Sequence, residues 1–334
     1  MMTNFRDAIL SGTKAAAKLH REFHHADAVK ALGGGVDVFG ATINLGAVLI
    51  FRPLEGLLGA CIPGQNPGVM ISTQRALRIQ RFTGAHELGH VVMRHELKID
   101  GEEILARAPS QGGYDLQEIE ADAFAAEFLM PKWVFQAHAR RQGWNKESME
   151  DPCVVYQMAL RIGASYDATC RALNRHSIID GSTREKLLRV ERKRIKKSLL
   201  GDVAVENWHR DVWLLTERDE GTVIEGQPED CFVLRLRERS SAGYVWNFKS
   251  LQEAGFAILR DTRDIPSPET AIGGVVSRLL TLRRDEPDLG ELSVEQRRPW
   301  LKTGAPLSKF QLKYDLLGKE IGMPRAVRRQ LTAA

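Results

Sequence analysis

The chain has 334 residues, 27% charged and 43% hydrophobic, with a formal net charge of +4. That is too long for one ordinary core, and it suits two domains of a normal globular composition. The charge is too small to imply a nucleic-acid partner by itself, and no apolar run is long enough to span a bilayer.

From the N-terminus, MMTNFRDAILSGTKAAAKLHREF reads as an amphipathic helix. Acidic and basic residues interrupt its would-be apolar core, so it makes a poor secretory signal. Residues 5–32 are expected to be helical. Residues 34–72 then turn to short β-rich runs broken by Gly and Pro, which predicts a small sheet. Helical patterning returns from Thr73 to about His95, again over 115–141, and in shorter stretches at 153–162 and 165–175. Residues 183–199 form a charged helical stretch, read as a connector. Beyond about 205, alternating runs such as CFVLRLRE at 231–238 and SRLLTLRR at 277–284 predict a β-sandwich. Cys61, Cys153, Cys170 and Cys231 are scattered with no CxxC pair, which fits interior thiols in a reduced, cytoplasmic setting.

Residues 86–90 read HELGH. On a helix, residues i and i+4 share a face, so His86 and His90 can both reach one Zn²⁺. Glu87 lies beside the first ligand, where it can take a proton from a water that zinc acidifies. Catalytic zinc usually has a third protein ligand. EIEAD at 118–122 supplies Glu118 for that place, and Asp122, again at i+4, can hold the spare N–H of a ligand histidine. Glu120 points away from Glu118 and is the weaker candidate. The plainer alternatives are two exposed histidines and a solvated Glu118. Ala121, Phe124, Ala125, Phe128 and Leu129 form a packing stripe, Met130 and the aromatics read as core, and Pro131 ends the helix. His95 and Tyr114 lie in the right region to steady an oxyanion, but neither is singled out.

RFTGAHELGHVVMRH at 81–95, followed by EIEADAFAAEFLMP at 118–131, resembles the ImmA/IrrE family of metallopeptidases. VLIFRPLEGLLGACIPGQNPGVMIST at 48–73 is similar to the family's sheet before the HExxH helix. The resemblance covers about 15–175 and departs from the pattern at Gly84 and Phe128. It implies His86, His90 and Glu118 as zinc ligands and Glu87 as catalytic base. It also implies a helix-turn-helix repressor as substrate, in a stress-response, mobile-element or defence system.

Residues 155–179 have the shape of a helix-turn-helix, with Gly163 near the turn, Ser165 as a cap, and Ala159, Ile162 and Leu173 as core. Only Arg171 and Arg175 fall on the would-be recognition helix, so packing on the peptidase is preferred to DNA or repressor docking. The basic run Arg184, Lys186, Arg189, Arg192, Lys193, Arg194, Lys196 and Lys197 could track phosphates, although such a run is more often a solvated connector.

CFVLRLRERSSAGYVWNF, IGGVVSRLLTLR and RRPWL resemble the chagasin-type cysteine-peptidase inhibitors. That resemblance implies an immunoglobulin-like sandwich with three binding loops at one end. The matching positions include Ser240, Ser241, Gly243, Gly273, Gly274, Arg298 and Trp300. The Asn, Pro and Thr of the family's first loop are absent here. Tyr244 and Trp246 also fit a core strand, and Trp300 fits a sandwich-packing residue equally well.

The expectation is therefore an α+β protein: a zincin-like metallopeptidase over 1–150, a helix-turn-helix-like appendage over 151–182 and a basic connector over 183–204. A chagasin-like immunoglobulin sandwich follows over 205–318, then a basic tail over 319–334. The expected function is zinc-dependent cleavage of a protein, with no membrane partner and DNA not favoured. A binding or inhibitor module around a structural zinc, or a DNA-binding regulator using 155–197, are the rival readings.

Overall fold

A computed structural model describes residues 2–62, 64–95, 99–101, 115–264, 276–301, 304–325 and 327. The chain opens with α1 (Met2–Glu22) and α2 (His25–Leu32), separated where His24 adopts a left-handed backbone (φ 51°). The stretch expected to be wholly β-rich from 34 begins instead with α3 (Val38–Asn44). Asp37 starts that helix by accepting a hydrogen bond from the Gly40 N–H at 2.9 Å. The expected sheet follows as β1 (Val48–Arg52), β2 (Leu57–Ile62) and β3 (Gly68–Ser72). After α4 (Leu77–Met93), β4 (Ile99–Gly101) completes the order β1-β3-β2-β4, with β1 and β3 parallel.

The helical span from 115 divides into α5 (Leu116–Leu129) and α6 (Lys132–Gln142), because Pro131 is extended (φ −69°, ψ 154°) and cannot continue α5. Helix α4 lies against β2 and β3, α5 packs along α4, and α1 covers α5. The α1–α5 crossing is close: a Cβ on Gly12 would fall 2.2 Å from the Glu120 carbonyl oxygen. Phe124, Ala125, Phe128 and Met130 are all buried in the shared core.

α7 (Pro152–Ile162) and α8 (Tyr166–Arg175) meet at Gly163 (φ 75°), and Ser165 caps α8 by accepting from the Ala168 N–H at 3.1 Å. The Arg175 guanidinium donates to the carbonyls of Ala126 and Met130 at 3.1 and 3.3 Å, so α8 is fastened to the end of α5. The basic run is two helices, α9 (Gly181–Leu188) and α10 (Arg192–Leu200), rather than one free connector. Leu187, Ile195 and Leu200 are buried, and Lys196 turns inward to donate to the carbonyls of Trp208 and Arg210. Lys193 and Lys197 lie over the Trp208 ring. A helix patterned on both faces has to pack, and this one seams the two halves together.

The C-terminal part contains β5 (Val212–Thr216), β6 (Val223–Glu225), β7 (Cys231–Glu238), β8 (Val245–Asn247), α11 (Lys249–Glu253), β9 (Ala257–Asp264), β10 (Val276–Arg283), β11 (Leu289–Arg297) and β12 (Ser308–Asp315). They form two sheets, β5-β7-β10-β9 and β6-β12-β11-β8. Trp213, Phe232, Leu234 and Leu280 from the first sheet meet Trp246, Leu292, Val294 and Phe310 from the second in one core. The molecule is thus α+β, helical first and β-sheet second. The four thiols are free. Among the described residues no helix is long and apolar enough to cross a membrane.

The halves are joined by buried polar contacts. Arg161 on α7 pairs with Asp219 at 2.9 Å, both side chains being almost fully buried, and Gln142 donates to the same carboxylate at 2.7 Å. Gln157 treats β5 as a strand would: it donates to the Val212 carbonyl at 2.7 Å and accepts from the Leu214 N–H at 2.8 Å. Arg81 on α4 pairs with Glu225 on β6 at 2.9 Å. The stretch read as a basic tail is packed at its start. Glu320 and Arg325 are buried, and Arg325 pairs with Asp315 at 3.0 Å and with Glu320 at 3.1 Å. Gln80 on α4 donates to the Glu320 carbonyl at 2.9 Å and accepts from the Glu320 N–H at 2.8 Å. Residues 328–334 lie outside the described residues.

Candidate metal centre

Helix α4 presents His86 and His90 one turn apart, and α5 runs alongside with Glu118 facing them. His86 Nε2 is 3.1 Å from His90 Nε2 and 3.2 Å from Glu118 Oε2, and His90 Nε2 is 3.6 Å from Glu118 Oε1. All three residues are buried, and they are the group of donors among the described residues that could hold a metal ion. Asp122, one turn beyond Glu118, lies 2.9 Å from His86 Nδ1. The i, i+4 spacing on two helices therefore brings together all four of the expected positions.

Glu87 is only 1% exposed. It lies under β2 at Gly59, where an added Cβ would stand 2.9 Å from Glu87 Oε1 and 2.4 Å from Thr83 Cγ2. The sheet can come this close to α4 only because residue 59 has no side chain. Cys61, two residues along β2, has its thiol pushed up to about 12, mainly by burial and further by the Glu87 charge. It is therefore a neutral lining group rather than a nucleophile. A cleft of about 630 Å³ opens beside the site, lined among others by Lys18, Leu19, Cys61, Pro67, His90 and His95.

Two residues set aside in the sequence also belong to this cluster. His95 Nδ1 lies 2.9 Å from His90 Nδ1, and His95 Nε2 lies 2.9 Å from Glu120 Oε2. Helical spacing made Glu120 the weaker ligand candidate and could not reveal this contact, because His95 sits past the end of α4. Tyr114 lies outside the described residues.

At one end of the sandwich, Ser240, Ser241 and Ala242 form a short turn leading into Gly243 (φ 79°). Arg298 lies over the Tyr244 ring at 4.6 Å and donates to the Ala242 carbonyl at 3.3 Å. Trp300 is 65% exposed, so it does not pack the sandwich interior, and its ring lies directly against Gly243. Trp246 is the buried tryptophan of this region. Gly273 and Gly274 lie outside the described residues.

Residues 44–174 match the IrrE N-terminal-like domain of the peptidase M78 family. Residues 227–314 match the chagasin family of peptidase inhibitors, I42. Both resemblances read from the motifs therefore stand, and the M78 match supports a metallopeptidase in general terms. No curated protein matches the chain. Among solved structures, it is similar to the cysteine protease inhibitor EhICP2 of Entamoeba histolytica at 23% identity, with a TM-score of 0.29. That match covers 32% of this chain and 97% of the other. Amebosin is similar at 20% identity and a TM-score of 0.27, with the same coverage. The M78-like helices hold the whole metal group, and the chagasin-like sheets hold the exposed Trp300 end.

Proposed function

We propose that the chain is a zinc-dependent endopeptidase, with His86, His90 and Glu118 holding the metal, Glu87 as general base and Asp122 fixing His86. The observation that carries this reading is the triangle of donor atoms. Ligands held at about 2.0–2.1 Å around a tetrahedral zinc stand roughly 3.3–3.4 Å apart, close to the 3.1, 3.2 and 3.6 Å found here. Two imidazoles and one carboxylate are also a donor set suited to catalytic zinc.

Bound zinc would supply Lewis acidity toward a scissile carbonyl and toward water. The protein's own residues do the rest. Glu87, buried beside the ligands, takes the proton of the attacking water and hands it to the leaving amine. Burial keeps bulk solvent away from that carboxylate, and Gly59 leaves it room. His86 is locked in one tautomer by Asp122, so its Nε2 presents a lone pair toward the metal position.

The peptidase role belongs to 1–150, the helices of 151–204 seam it to the sandwich, and 205–318 forms the sandwich module. The M78 likeness favours a helix-turn-helix repressor as substrate, in a stress-response, mobile-element or defence system of the cytoplasm. Co-expression with a repressor encoded at the same locus tests this. Wild type should cleave it, while Glu87→Gln and chelated wild type should leave it whole. An intact repressor beside metal-loaded wild type would remove the repressor from the reading.

A second role is favoured by the exposed Trp300 beside Arg298 and Tyr244. The sandwich end offers an aromatic and cationic surface for a protein partner, a papain-like peptidase among them. The missing Asn-Pro-Thr loop argues for recognition or regulation over tight inhibition. Trp300→Ala should abolish any capture of such a peptidase, and a wild type that captures none would exclude the inhibitor role.

A further inference from the structure

We propose that His95 and Glu120 are positioning residues that fix the proton and tilt of His90, and that the turn at Arg94 delivers them. The inference rests on the reading of His86, His90 and Glu118 as a zinc site.

If His90 binds through Nε2, the atom facing His86 and Glu118, its Nδ1 must carry the ring proton. That Nδ1 lies 2.9 Å from Nδ1 of His95. Two nitrogens in hydrogen-bond contact share one proton, so His95 Nδ1 accepts and its own proton sits on Nε2. His95 Nε2 lies 2.9 Å from Glu120 Oε2, which accepts it. Every proton along His90, His95 and Glu120 is thereby assigned. The other arm is shorter: His86 Nδ1 donates directly to Asp122 at 2.9 Å.

The asymmetry follows from helix geometry. Asp122 is one turn from Glu118 and faces His86, whereas Glu120 stands to one side of that face and needs an intermediary to reach His90. His95 supplies it from beyond the end of α4. Arg94 adopts the left-handed region (φ 58°), uncommon for a non-glycine residue, and the chain folds back so that the His95 N–H donates to the His90 carbonyl at 3.0 Å. The returned imidazole is buried and meets the His90 ring edge-on at 5.0 Å between centroids. A left-handed C-cap is a common way to end a helix, and this one returns His95 to the back of His90.

The test uses the full-length chain and His95→Leu, His95→Gln, Glu120→Ala and Arg94→Gly. Zinc affinity is measured by competition with a chromophoric chelator, and ligand geometry by the visible spectrum of the Co²⁺-loaded protein. His95→Leu and Glu120→Ala should weaken zinc by roughly 10–100-fold and alter the cobalt bands. His95→Gln, whose amide can accept and donate in the same places, should recover much of the loss. Arg94→Gly should hold zinc like wild type, since glycine adopts that turn freely. With a cleaved protein substrate, kcat should fall while KM holds, the split expected of residues that act through His90. Should His95→Leu not fold, Glu120→Ala carries the test, since it trims a partly exposed side chain. Folded variants with wild-type zinc affinity and cobalt spectrum would overturn the proposal. A wild type that takes up no zinc would instead bring down the peptidase reading on which it rests.

Discussion

In the proposed function Glu87 acts and Gly59, packed against it, makes room. Glu87→Gln should retain metal and lose roughly 10²–10⁴-fold in kcat, measured on any cleaved substrate. Gly59→Ala should act indirectly. Its Cβ meets Thr83 and Glu87 at distances no real contact adopts, so the carboxylate must shift. A displacement of that size should cost about 10²-fold in kcat, with overpacking taking roughly 1–3 kcal/mol of stability in urea unfolding. A third residue contributes to acid tolerance, as do the buried pair His20 and His25, whose pKa values burial also lowers. His138 is buried and donates to the Gly34 carbonyl, and burial lowers its pKa to about 4. Its native state favours the neutral ring while the unfolded chain protonates near 6.5. The stability contribution is therefore whole above about 6.5 and is lost as pH falls toward 4, by about 3 kcal/mol. His138→Gln, which keeps a donor, should reduce the slope of that stretch of a stability-against-pH curve, with His20 retaining the rest.

Helices α4 and α5 were the elements most legible in the sequence, because the ligand spacing and the apolar stripe share one period. His86, His90, Glu118 and Asp122 all follow from i, i+4 geometry, and Pro131 marks the end of α5. What was not legible depends on contacts across the chain. VFGATIN, with its β-branched and aromatic residues, reads as strand, yet the Asp37 cap makes it α3. His95 lies beyond the α4 pattern, and only the backbone reversal at Arg94 returns it to the site. The α1–α5 crossing is equally silent, since a glycine in an amphipathic helix does not announce its neighbour. Gly12→Val should drive a side chain into the Glu120 carbonyl and lower the melting temperature. It should also weaken zinc, because α5 carries Glu118; a variant that melted lower with zinc binding intact would separate the crossing from the metal site.

At the scale of the whole molecule, the sandwich is bolted to the peptidase rather than tethered. Arg161 and Asp219 are buried together, and removing one partner strands the other in a low-dielectric interface. Asp219→Ala should cost about 3–5 kcal/mol and split one unfolding transition into two by calorimetry, the sandwich separating first. No sequence pattern marked this seam. Gln157 and Arg161 share α7 at i, i+4 and Gln142 ends α6, all on helices where polar residues are ordinary, and the basic run over 184–197 suggested solvent rather than packing. The C-terminal stretch is opaque for the same reason: its basic composition hides Glu320, whose backbone completes the hydrogen bonding of Gln80 on α4.

That last contact sets an order in time. Gln80 emerges from the ribosome early, and the partner that satisfies its buried amide is made 240 residues later. Until then α4, which carries His86 and His90, holds an amide that lacks its contacts to Glu320. A nascent or truncated chain that stops short of Glu320 should thus carry an α4 whose Gln80 keeps the Ser72 carbonyl as partner but lacks both contacts to residue 320.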